Sequence, residues 1–161
     1  NDVAKARKEM DSLRVLAADT TLKYITIWNI NTTADLVQIA SRVLAGGIAA
    51  REGQFPQSIS LLQEAVALED NLNYNEPPDW FFSIRHHLGA VLLKAGKYAE
   101  AENVYNQDLK TWRRNGWALI GLYNAQVLQK KNAEAEKTKL AFEEAWQYAD
   151  NKITSSSSIA D

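Results

Sequence analysis

Two glycine pairs, Gly46/Gly53 and Gly89/Gly96, recur in this chain with the same seven-residue spacing, 43 residues apart. Two residues beyond the second glycine of each pair stands an aromatic, Phe55 or Tyr98. Ser58 and Ala101 follow at matching positions, as do Leu62 and Tyr105. The string Ala99-Glu100-Ala101-Glu102 returns as Ala133-Glu134-Ala135-Glu136, at an offset of 34. A small residue in mid-helix, a turn glycine, an aromatic just after it and a second small residue have one joint explanation. Small side chains let two antiparallel helices approach closely, the turn glycine supplies a left-handed residue, and the aromatics fill the angle between helices. A chain built this way is expected to fold as stacked helix hairpins.

Helical periodicity fills the rest. From Asp2 to Ala18, Val3, Ala6, Met10, Leu13 and Ala17 fall on one face, with Asn1 or Asp2 as the expected N-cap. The β-rich stretch Thr20–Asn31 would be called a strand by itself. With no second strand segment to pair it, an extended connector or short irregular helix is expected there. Thr32 or Thr33 caps the next helix, with Asp35 in its first turn, and Gly53 suits its C-terminus. Pro77 and Pro78 make Asn71–Asp79 a loop, after which Asp79 is expected to cap a helix starting at Trp80. Asn115-Gly116 marks a turn before the last two helices, and the aperiodic serine run near the end is expected to be frayed.

The organisation expected is therefore all-α: a leading helix and connector (1–31), three helix pairs at about 33–71, 79–113 and 117–150, and a flexible tail (151–161). This pattern resembles the tetratricopeptide repeat (TPR), a 34-residue helix–turn–helix. The 43-residue offset is 34 plus nine, and the proline loop absorbs the nine. Gly46, Gly53, Gly89, Gly96, Ala101 and Ala135 carry the resemblance. Ser58 departs from it, as does the third repeat, where Tyr123 falls in the small slot and Lys130 in the turn-glycine slot, with Gly121 two residues away. The wording NEPPDW, LGAVLLKAGKYAEAE and NGWAL is similar to the C-terminal part of larger bacterial TPR-containing proteins, which makes the first helix a remnant of a preceding repeat. The resemblance implies an α-solenoid of about seven helices in a right-handed superhelix, with a concave groove that binds protein or peptide.

Composition narrows the chemistry. With 18 Lys+Arg against 20 Asp+Glu, the charge of −2 offers no footprint for nucleic acid. No stretch approaches the roughly 18 apolar residues of a membrane span. Cys is 0, which removes disulfides, thiolate ligands and a cysteine nucleophile. His86 and His87 are adjacent on one helix, and no ligand stands four residues from either, so no metal is expected. No nucleophile elbow or phosphate loop occurs, and no catalytic residue or cofactor is assigned. The expected function is non-catalytic. Asn1 in place of Met suggests a processed chain or a fragment, and without a targeting signal both cytoplasm and periplasm stay open.

By analogy with TPR grooves, the inward positions lie near Val43, Gly47, Ala50 and Arg51, then Ser83, His86, Ala90 and Lys94, then Trp117, Ile120, Asn124 and Val127. The candidate groove residues are Arg51, Trp80, Ser83, His86, Lys94, Trp117 and Asn124, with Arg51 and Lys94 able to hold a carboxylate. The carboxylate-clamp set of the family is not reproduced, since Val43 and Gly47 stand where such groups belong. The partner is a protein, a peptide or another region of the parent chain. Two other roles fit the same sequence: a capping or self-associating (homo-oligomeric) segment of a longer array, and the scaffold of an enzyme whose active site lies elsewhere. Asn31-Thr32-Thr33 also matches a glycosylation acceptor.

Overall fold

The computed structural model describes residues 3–159; the expected caps Asn1 and Asp2 lie outside them. Seven α-helices are present among the described residues: α1 (Val3–Ala17), α2 (Thr33–Arg51), α3 (Phe55–Asp70), α4 (Ile84–Lys94), α5 (Tyr98–Thr111), α6 (Gly116–Leu128) and α7 (Asn132–Trp146). Among the described residues no helix is long and apolar enough to cross a membrane. The chain divides into two compact units, Asn1–Ile84 and Arg85–Asp161.

In the first unit α2 packs on both α1 and α3. Thr32 and Asp35 cap α2 reciprocally: the Asp35 N–H donates to Thr32 Oγ1 at 3.1 Å, and the Thr32 N–H to Asp35 Oδ2 at 3.2 Å. Ile39, Leu62 and Ala65 are fully buried between α2 and α3. Gly46 meets Leu62 there, and Ser58 Oγ donates to the Gly46 carbonyl at 2.7 Å. That bond explains why a hydroxyl is tolerated where the repeat asks for a small apolar residue.

Thr20–Asn31 begins as the short irregular helix that was one of two expectations and then departs from both. It forms a 3₁₀ turn (Thr20–Tyr24) started by Asp19, then an antiparallel hairpin pairing β1 (Thr26–Ile27) with β2 (Asn31–Thr32). Trp28 and Asn29 both take positive φ, and the Ile30 N–H closes the turn on the Ile27 carbonyl. The strand's partner was one turn away. Asn31 itself is buried, its amide donating to the Asn73 carbonyl and to Asp79 Oδ2, so a glycan could not be attached without opening this corner.

The start of α4 is also a correction. Asp79 does not cap it, because its carboxylate is engaged by the side chains of Asn31 and Asn75 at 2.7 Å each. The helix begins at Ile84, whose N–H donates to the Glu69 carboxylate at 3.2 Å, leaving Trp80 and Phe81 outside the helix.

Three turns repeat bond for bond. Gly53, Gly96 and Lys130 each donate N–H to the carbonyl three residues back, and Gln54, Lys97 and Lys131 each donate to the carbonyl five residues back. This is a Schellman motif at offsets of 43 and 34, and its left-handed residue has φ of 74°, 74° and 61°. Lys130 thus holds the third turn-glycine slot despite its side chain. Ser58, Ala101 and Ala135, each five residues beyond, are all buried. We expect Lys130→Gly to stabilise the chain by about 1 kcal/mol, because a left-handed Cβ is costly. A lower urea midpoint for that variant would contradict the turn assignment.

Candidate functional site

In the second unit the centre is Tyr105 on α5, fully buried against two backbones. A Cβ added at Gly89 on α4 or at Gly121 on α6 would overlap its ring. The repeat pattern identified Gly89 but gave Gly121 no contact; here both glycines admit the same phenol. Burial pushes the Tyr105 phenol well above its ordinary range; the Ser156 hydrogen bond opposes this, and nearby Asp108 adds to it. The ring is a neutral hydrogen-bonding group.

Its partner lies in the segment expected to be a flexible tail. Ser156 is 1% exposed. Its hydroxyl donates to the His86 carbonyl at 2.9 Å and lies 2.7 Å from the Tyr105 oxygen. A serine has one hydroxyl proton, so Tyr105 donates and Ser156 accepts. On either side, Ser157 Oγ lies 2.7 Å from His87 Nδ1, and the Asn124 amide donates to the Thr154 carbonyl at 2.9 Å. The segment is anchored upstream by the Trp146 indole N–H on the Asn151 carbonyl, 2.8 Å. Aperiodicity signalled only that 151–159 is not helical; it carried no information about docking.

Docked there, the segment leaves a cavity of about 390 Å³ beside it. Ala90, Leu93 and Lys94 of α4 line one wall, Asn124, Val127 and Leu128 of α6 another, and Ser155 and Ser157 close it. Lys94 and Asn124, both expected in a groove, are brought together. His86 is not presented to it by its ring: Nε2 lies 3.0 Å from Asp108 Oδ2, both side chains 1% exposed, and only its carbonyl serves the segment. Asp108 Oδ1 is buried with no hydrogen-bond partner. Trp117 packs edge-on against Trp146 of α7 at 4.9 Å, where a Cβ at Gly116 would also collide. Arg51, Trp80 and Ser83 belong to the first unit: half-buried Arg51 in the last turn of α2, Trp80 and buried Ser83 in the stretch before α4.

Sequence inspection missed His87 as a contact. Burial, and then the charge of neighbouring His86, lowers its pKa from 6.5 to about 4. A hydroxyl on an imidazole nitrogen is also the geometry of a nucleophile and its base, but a ring with so low a pKa is a weak base. The unfolded chain takes up a proton near pH 6.5 that folded His87 refuses until about pH 4. The contribution of His87 to stability should therefore fall as pH drops through that window and level off below it. Urea midpoints at pH 7, 5.5 and 4 will show this as a slope that His87→Asn reduces; equal slopes in both proteins would refute it.

No family model matches the chain, and no curated protein or solved structure matches it.

Proposed function

We propose that this chain is a non-catalytic, tetratricopeptide-like interaction module whose groove between α4 and α6 takes an extended protein segment. The observation that carries this reading is the Asn124 side-chain amide on the Thr154 main-chain carbonyl, 2.9 Å. A side-chain donor on a backbone carbonyl holds a non-helical segment whatever its sequence, which is what a peptide groove requires. The apolar wall of Ala90, Leu93, Val127 and Leu128 supports it, because it supplies surface for side chains of a guest. The recurring Schellman turns support the hairpin repeat on which the groove is built.

Selection of peptides from a random library against the full chain tests this. Selected peptides should lose about fivefold in affinity on Asn124→Ala, the value of one neutral hydrogen bond of about 1 kcal/mol. They should lose more on Val127→Arg, which puts a charge into the apolar wall. Peptides indifferent to both changes would place binding elsewhere and refute the groove.

A further inference from the structure

The docked serine segment is itself a specimen of what the groove accepts. Of residues 151–159 only Ser156 is buried; Asn151, Lys152, Thr154 and Ser158 are exposed. The hold on this segment is therefore a short series of hydrogen bonds and little apolar area, and each such bond is replaceable by water at modest net cost. One site is selective. The Ser156 hydroxyl fills the space between Tyr105 and the His86 carbonyl, a donor and an acceptor both deeply buried. An aliphatic side chain there would strand both, and a large one would meet the Tyr105 ring. The neighbouring positions are permissive, since Ser155 and Ser157 border a cavity that their small side chains leave open.

We propose, resting on the peptide-groove reading above, that Thr154–Ile159 is a built-in, exchangeable occupant of the α4–α6 groove. The external partner it holds off is an irregular, non-helical protein segment with serine at the Tyr105 position and an apolar residue just before it. The serine reproduces the bonds to Tyr105 and His86. The apolar residue, in the place of Ser155, fills the cavity against Leu93 and Val127. The internal segment competes because its tether keeps it at a millimolar effective concentration, and a guest wins by adding the apolar contact that Ser155 lacks.

The test uses the full chain and three labelled peptides, followed by fluorescence anisotropy. The first copies residues 151–159 (NKITSSSSI), the second has leucine for Ser155, and the third has leucine for Ser156. Against Ser156→Leu, whose own segment no longer fits, the first peptide should bind at least tenfold tighter than against the unmodified chain. The second should bind at least fivefold tighter than the first, and the third at least tenfold weaker. Should Ser156→Leu fail to fold, amide spectra of the unmodified chain decide: excess second peptide should move the 155–159 resonances to random-coil positions, and the third should not. Equal binding of all three peptides, or no displacement of 155–159 by the second, overturns the proposal. Library peptides that depend on Asn124 but carry no central hydroxyl would overturn this selectivity while leaving the groove itself standing. Library peptides indifferent to Asn124 would remove both.

Discussion

Replacing Gly89 or Gly121 by alanine should each destabilise the chain by about 3 kcal/mol, and leucine at Gly89 should prevent folding. The added Cβ has nowhere to go. The Tyr105 ring lies against both glycines, and its hydroxyl is pinned by Ser156, so the ring cannot move toward either side without losing that bond. Gly46→Ala is the built-in control. Its Cβ would come within 2.9 Å of a Leu62 side-chain carbon, which can yield by a few tenths of an ångström. That change should cost about 1 kcal/mol. Thermal midpoints of the three alanine variants should therefore separate into two low values and one near the parent. A Gly89→Ala protein melting like the parent would show that the phenol is not where it is described.

Asp108→Ala should cost about 3 kcal/mol, for a different reason. It removes a partner from His86 at a site where both side chains are 1% exposed, so the imidazole is left facing a dry cavity. Asp108→Asn keeps an oxygen and a similar volume and should lose less than half as much. Chemical denaturation at pH 7 separates the two; equal losses would mean that neither the retained oxygen nor the retained volume helps and would contradict this account. Because His86 also presents its carbonyl to Ser156, Asp108→Ala should loosen the serine segment as well.

Much of this was legible because helices and Schellman turns are local. Glycine spacing placed Gly53 and Gly96 in left-handed turns, and the 34-residue offset placed Lys130 in the third, although lysine gives no propensity signal there. Thr32 and Asp35 announced their cap within four residues of sequence. What could not be read depends on partners distant in the chain. Asp79 is a good N-cap by type, yet Asn31 claims its carboxylate from 48 residues away and Glu69 serves the helix instead. Gly121 matters because of Tyr105, and a repeat alignment compares equivalent positions and does not pair unlike ones. The serine segment is the clearest case. Small polar residues without periodicity describe a frayed end and a docked irregular segment equally well. Only the buried phenol and carbonyl that receive Ser156 distinguish them. Lys94 and Asn124, expected in a groove by analogy with the repeat family, line one cavity, whereas His87 became a contact through a segment 70 residues later.

The most direct measurement is the proton Overhauser contact between the Ser156 β-protons and the Tyr105 ring in the full chain at pH 7. Strong cross-peaks, with shifts for Ser155–Ser157 well away from random coil, are the predicted result. Random-coil shifts across 154–159 with no cross-peak to Tyr105 would contradict the occupied groove and everything inferred from it.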